Sequence, residues 1–240
     1  MCYNSPKRFA RKGSKEPLQT VCEHITTPGV LVIVRGVKKD HILLADALIR
    51  GGVHAMELAM DPGRPDSWKS TCDEIARLRE RTEGRMSIGA GTVLTREAVQ
   101  AAADAGAQFI VSPNTDARVI SAAKERGLVS IPGAMTPSEI VSAYGAGADF
   151  VKVFPAGCLG ADYVKAVRAP LEHIPMLAVA GIDLSNAEGF IKAGCVGLGI
   201  GKLLADSELV ARGAFDELQM RAEKMVQIIA SARNSKEDQR

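Results

Sequence analysis

Residues 86–135 read MSIGAGTVLTREAVQAAADAGAQFIVSPNTDARVISAAKERGLVSIPGAM. Three short runs of β-branched and apolar residues punctuate this stretch: MSIGAGTV from Met86, FIVSP from Phe109 and VSIPGAM from Val129. Between them lie TREAVQAAADAGA and DARVISAAKERG, in which apolar residues recur at helical spacing behind a Thr or Asp suited to an N-cap, with a Gly near the end. Strand, helix, strand, helix, strand is the pattern of βα units, whose short connections keep successive strands parallel neighbours.

The same unit continues in both directions. Upstream are VLVIVRG (residues 30–36), DHILLADALIRGG and HAMELAM (residues 54–60). Downstream are TPSEIVSAYGAGA, FVKVFP (residues 150–155), MLAVAGI (residues 176–182), SNAEGFIKAG and GLGIGKL (residues 197–203), which makes eight strand candidates. The expected fold is α/β, a (β/α)8 TIM barrel forming a single domain over residues 19–233. An open doubly wound sheet uses the same alternation, but the even unit length and the lack of a GxGxxG after the first strand favour closure. LQTVCEHITT, ahead of the first strand, is expected to be an extra N-terminal helix on the barrel floor. Residues 1–18 read as a disordered basic arm, and residues 234–240, NSKEDQR, as a charged tail behind a last helix starting near Leu209.

Composition bounds the function. Among 240 residues, 30 Lys and Arg face 28 Asp and Glu, a formal charge of +2, so nothing demands nucleic acid or an acidic membrane as partner. The five cysteines stand singly without CxxC pairs, which reads as reduced thiols in a cytoplasmic protein. The first segment lacks the apolar core of a secretory signal, and Glu16 with the neighbouring prolines weakens a transit-peptide reading. No apolar run approaches the ~20 residues of a membrane span.

Barrel sites lie at the C-terminal ends of the strands, so polar residues late in a strand and on its inward face are the informative ones. In HAMELAM, parity places Ala55, Glu57 and Ala59 on one face; in FVKVFP it groups Phe150, Lys152 and Phe154. Arg35, after VLVIV, and Thr92, after SIGAG, reach the same mouth. A structural ion pair between Lys152 and Glu57 is the plainer reading, but three charges converging on one mouth, summing to +1, suit a small carboxylate substrate. Desolvation and Arg35 would lower the pKa of Lys152 and let its amine attack a ketone, with Glu57 shuttling protons. That chemistry needs no cofactor and no metal.

Two turns look fit for an anion: AVAGIDLSN, with Gly181 and Ile182, and GIGKLL, with Gly201 and Lys202, in the loops after strands seven and eight where this fold holds phosphate. Small residues there equally serve tight turns. Lys202 is either a charge on the phosphate or an exposed residue, and it is the second candidate for a reactive amine.

In the order GGVHAMELAM, IGAGTVL, FIVSPNTD, IPGAMTPSE, VKVFPAG, GLGIGK, the chain from Val30 to about Ala232 resembles the bacterial 2-keto-3-deoxy-6-phosphogluconate (KDPG) and 4-hydroxy-2-oxoglutarate (KHG) aldolases, including their phosphogalactonate branch. The resemblance implies a class I lyase of carbohydrate metabolism, usually a homotrimer, that cleaves a KDPG-type acid to pyruvate and glyceraldehyde 3-phosphate. It implies Lys152 as the Schiff-base lysine, Glu57 as general acid and base, Arg35 and Thr92 as holders of the pyruvyl carboxylate, and Pro113, Pro132, Gly133 and Phe154 as pocket lining. Three positions depart from the family pattern: Asp61 stands where some members carry Arg, AVAG replaces PTGG, and Gly201-Lys202 replaces Gly-Ser. Either Lys202 holds phosphate by charge, or the substrate is a plain 2-keto acid such as 4-hydroxy-2-oxoglutarate. A phosphosugar isomerase or epimerase with Glu57 as base, and a sugar-acid binding protein without catalysis, are the rival classes.

Overall fold

The computed structural model describes residues 18–237. The arm expected over 1–18 lies outside the described residues apart from Leu18. Nine parallel strands form one sheet: β1 (Val30–Val34), β2 (Ala55–Ala59), β3 (Ser87–Gly91), β4 (Phe109–Val111), β5 (Val129–Ile131), β6 (Gly133–Ala134), β7 (Val151–Val153), β8 (Met176–Val179) and β9 (Gly197–Ile200). Their spatial order is β5-β4-β3-β2-β1-β9-β8-β7-β6. Only Pro132 separates β5 from β6, so the two are halves of one strand. The first half pairs with β4 and the second with β7, while Ser130 O on β5 accepts from Phe150 N at 3.3 Å. Counted once, that strand closes an eight-stranded barrel.

VSIPGAM, expected as one uninterrupted strand, is thus broken at its proline. Proline brings no N–H to a ladder. Pro132 instead offers its carbonyl to Lys152 N at 2.9 Å, which moves the pairing from one neighbour to the other.

Among the described residues, ten α-helices accompany the strands: α1 (Leu18–Thr26), α2 (His41–Arg50), α3 (Trp68–Thr82), α4 (Arg96–Asp104), α5 (Ala117–Glu125), α6 (Pro137–Gly145), α7 (Ala156–Arg168), α8 (Ala187–Lys192), α9 (Ser207–Ala211) and α10 (Phe215–Glu237). Several start as their sequences suggest. Thr95 caps α4, Asp116 caps α5, and Thr136 with Glu139 forms a capping box on α6. The last helix expected from Leu209 is two helices, split by Gly213 in the left-handed region (φ 71). The second of them continues to Glu237, beyond the boundary read at 233, because no Gly or Pro follows to stop it.

Strand alternation sorts the apolar residues into two layers. Met56, Leu58, Val151, Val153, Met176 and Ala178 face the helices in an outer layer with Leu44, Leu48, Ile75 and Leu78. Leu31, Ala55, Phe109, Val129, Ile131, Phe150, Leu177 and Val179 fill the barrel interior, and Val21 and Ile25 of α1 join them. Helix α1 therefore seals the barrel floor, and His24 Nδ1 lies 2.9 Å from Ser87 Oγ at the start of β3. Burying each such aliphatic side chain contributes about 1.5–3 kcal/mol. Among the described residues no helix is long and apolar enough to cross a membrane.

Candidate active site

With the floor sealed, the open end of the barrel is the C-terminal end of its strands. Glu57 is inward on β2, beside Ile33 of β1 and Gly89 of β3. Lys152 is inward on β7, beside Gly133 and Leu177. Glu57 is 1 % exposed and Lys152 7 %, and charged groups are so deeply buried only where something offsets the cost.

Small neighbours make the space. A Cβ at Gly91 would lie 2.3 Å from Glu57 Oε1, so the carboxylate occupies the volume that a side chain on β3 would fill. A Cβ at Gly133 would lie 2.2 Å from Pro113 O, which sets β6 tight against the β4 exit. Phe154 brings its ring to 4.8 Å from Lys152 Nζ, a cation–π contact on the apolar side of the amine. Arg35 Nη2 donates to Thr92 Oγ1 at 2.7 Å across the mouth. Thr92 itself sits in the left-handed region (φ 59), a costly conformation for a β-branched residue.

The charges feel one another. Burial pushes the Glu57 carboxyl above its ordinary value, against the opposing pull of Lys152 and Arg35. Burial draws Lys152 below the ordinary lysine value, with Glu57 opposing the shift and Arg35 adding to it. The result is an amine biased toward its neutral, nucleophilic form beside a carboxyl biased toward holding a proton. Glu57 Oε2 is buried without a hydrogen-bond partner, an acceptor facing the interior.

The anion turns are placed differently from expectation. Ile182 packs its side chain in the outer apolar layer, and Asn186 Nδ2 donates to Gly181 O at 2.8 Å while Ser185 N donates to Asp183 Oδ1 at 2.8 Å. That self-bonded turn separates Gly181 and Ile182 from α8, which begins only at Ala187. Gly201 likewise precedes α9 by several residues, and Lys202 is exposed; the Asp206 carboxyl that caps α9 is held below its ordinary value, against burial, by the N–H groups of Glu208 and Leu209, with Lys202 and Arg221 adding less. Neither turn runs straight into the helix that follows it; the Gly181 turn instead meets the start of α7, where Gly157 N donates to Ala180 O at 2.8 Å. Lys202, as the second amine, lacks the burial of Lys152.

Asp61, at the lip of the mouth, holds Arg64 Nε at 2.8 Å and Gly63 N at 3.0 Å, and its own carbonyl accepts from Trp68 Nε1 at 2.9 Å. Sequence reading did not foresee Gly91 as a socket or the Asp61–Arg64 lip. The first had a signal, since Ser87, Gly89 and Gly91 share the inward face of β3; the second had none. A cavity of about 720 Å³ lies outside the mouth, between the segment after β1 and α3, and neither Glu57 nor Lys152 lines it.

A parallel eight-stranded barrel with a buried amine and a buried carboxyl at its C-terminal mouth defines a barrel enzyme of carbonyl chemistry. The chain belongs to the KDPG and KHG aldolase family, whose sequence profile matches residues 21–221. It is 36 % identical over 174 residues, 72 % of this chain and 82 % of the relative, to the 2-dehydro-3-deoxy-6-phosphogalactonate aldolase of Escherichia coli strain K12. It is 28 % identical over 222 residues, 90 % of this chain and 94 % of the relative, to the 2-dehydro-3-deoxy-phosphogluconate aldolase of Pseudomonas aeruginosa. A solved structure described as native KDPGal superposes with a TM-score of 0.76 at 32 % identity, covering 85 % of this chain and 96 % of that one. The protein is an aldolase with a (β/α)8 barrel.

Proposed function

We propose that the chain cleaves a 2-keto-3-deoxy-6-phospho sugar acid to pyruvate and glyceraldehyde 3-phosphate by class I chemistry, with Lys152 as the amine. The observation that carries this is the pairing of a buried lysine, which burial draws below the ordinary lysine value, with a buried glutamate, which burial pushes above the ordinary carboxyl value, both on inner positions of the barrel. Lys152 Nζ attacks the C2 ketone, and the carbinolamine loses water to give an iminium as Glu57 gives its proton to the leaving hydroxyl and becomes a carboxylate. The C3–C4 bond then breaks with its electron pair moving into the iminium to form an enamine, while the C4 hydroxyl gives its proton to Glu57. Glu57 returns a proton to C3, and hydrolysis releases pyruvate and the free amine. Arg35 and Thr92 hold the substrate carboxylate; Pro113, Pro132, Gly133 and Phe154 shape the pocket.

The distal phosphate falls to the loops with Gly181, Ile182, Gly201 and Lys202, with Lys202 supplying charge where hydroxyls are missing. Names of the relatives with 35 % and 36 % identity support a galactonate-series substrate. The altered turns support the alternative, a plain 2-keto acid such as 4-hydroxy-2-oxoglutarate. We further infer a homotrimer in the cytoplasm; the family resemblance supports the trimer, and cysteines that stand singly without CxxC pairs support the compartment.

Borohydride reduction with pyruvate followed by peptide mass spectrometry tests the core of this reading. A pyruvate-sized adduct on Lys152 is expected. No lysine adduct would return the site to isomerase or epimerase chemistry, and an adduct on Lys202 would reassign the amine. Lys202→Ser is expected to raise KM for a phosphorylated substrate and leave a plain one unchanged; equal loss on both would remove Lys202 from the phosphate.

A further inference from the structure

Arg35 stands at the exit of β1 with its guanidinium on Thr92, and in the segment that follows, Val37 packs against the outer apolar layer. Gly36 follows in the left-handed region (φ 79), with open space where its Cβ would be. Asp40, which ends the segment, is also left-handed (φ 61) and makes no side-chain cap on α2. Residues 36–40 thus run between two left-handed positions, the first of them next to Arg35. Packing does not restrain the segment on its open side, where Gly36, Val37, Lys38 and Lys39 line the cavity of about 720 Å³.

The first residue of α2 supplies the restraint. His41 Nε2 lies 3.1 Å from Val37 O, and His41 Nδ1 lies 3.1 Å from Glu74 Oε1 on α3. Both partners are acceptors, so whichever ring nitrogen carries hydrogen has a partner to receive it. Glu74 is held in turn by Arg77, whose Nη1 donates to Oε2 at 2.9 Å. The side chains of His41 and Glu74 are only 11 % and 16 % exposed, which strengthens a bond to a carboxylate. The chain of contacts runs from the residue two places after Arg35, through His41, to the helix that follows the Glu57 strand.

We propose that His41 is a positioning residue for the aldolase site: by bridging Val37 to Glu74 it fixes the segment after Arg35 and holds the guanidinium where the 2-keto acid carboxylate binds. The inference rests on the reading of Arg35 as the carboxylate holder. It assigns no chemical step to His41.

The readout is the pyruvate concentration that gives half-maximal borohydride trapping on the intact enzyme, together with KM and kcat for KDPG cleavage. His41→Phe keeps a ring and loses both ring nitrogens. It is expected to raise half-saturating pyruvate and KM about tenfold, ~1.4 kcal/mol of binding, while maximal trapping and kcat stay within about twofold of the parent. His41→Gln, whose amide can still donate to Val37, is expected to restore most of the affinity, and Glu74→Gln to cause a smaller rise of the same kind. A merely structural role would lower the melting temperature without this split between KM and kcat. Unchanged half-saturation in both His41→Phe and Glu74→Gln, alongside a large rise in Arg35→Ala, overturns the positioning role and leaves the Arg35 reading standing. Unchanged half-saturation in Arg35→Ala overturns both.

Discussion

Lys152 and Glu57 are each costly to bury, and each sets the titration of the other. The carboxylate raises the lysine pKa against the stronger lowering by desolvation. Glu57→Gln removes that support, so the pH midpoint for pyruvate trapping on Lys152 is expected to move to lower pH while turnover falls about 10²–10⁴-fold from the lost proton transfer. An unmoved midpoint would mean that the two groups do not share a field. The same substitution has a stability signature. Because the folded pKa of Glu57 is raised, its contribution to stability is present below the unfolded value and is lost as pH rises through the folded one. The variant therefore gains stability relative to the parent as pH rises above the ordinary carboxyl range, measured as melting temperature over a pH series. A difference that shrinks with rising pH would contradict the assignment.

At the scale of elements, the site depends on what β3 leaves out. A Cβ at Gly89 would lie 2.3 Å from the Phe109 ring, and one at Gly91 would lie 2.3 Å from Glu57 Oε1. Gly91→Ala is expected to cut kcat about 10²-fold by displacing the carboxylate on the order of an ångström, with far-ultraviolet circular dichroism unchanged; near-parental turnover would show that the carboxylate has room to yield. At the exit of β8, Ala180 is left-handed (φ 74), where an L side chain costs roughly 1–2 kcal/mol. Ala180→Gly is therefore expected to raise the melting temperature by about 2–4 °C, after the entropic cost of glycine is set against the strain relieved. A lower melting temperature would mean that the methyl group makes up for its strain by packing.

These elements also show what strand alternation can and cannot disclose. Glu57, Lys152 and the inward reach of Arg35 were legible because a period of two places them on one face with Ala55, Phe150 and Leu31. The break at Pro132 carried a signal, a proline within a strand, that was passed over by reading VSIPGAM as one piece. Thr92 was legible at the mouth from its place after SIGAG, but its left-handed backbone carried no signal, since a β-branched residue opposes that conformation. The bond between His41 and Glu74 spans 33 positions, and no local pattern links residues so far apart. The anion turns were located at the right strand exits, but their separation from α8 and α9 depends on side-chain bonds such as Ser185 N to Asp183 Oδ1.

For the whole molecule, the two ends of the barrel divide the work: the mouth holds the chemistry and the floor holds the fold. On the floor, α10 returns to seal what α1 begins. Arg233 Nη1 donates to Thr27 O at 2.7 Å, and its Nη2 donates to Thr26 O and Val196 O at 2.8 Å each. One guanidinium thus satisfies carbonyls at and just beyond the end of α1 and the one that leads into β9. Ile25, fully buried among the interior residues, is the test of this division. Ile25→Ala leaves a cavity at the floor costing about 2–5 kcal/mol, which lowers the melting temperature by roughly 5–15 °C in a chain of this length. Because Glu57 and Lys152 lie at the opposite end and keep their neighbours, kcat and KM measured at about 25 °C should stay within roughly twofold of the parent. A parallel fall in kcat below the melting transition would show that the floor and the mouth are coupled, and that α1 tunes the position of the catalytic pair as well as closing the barrel.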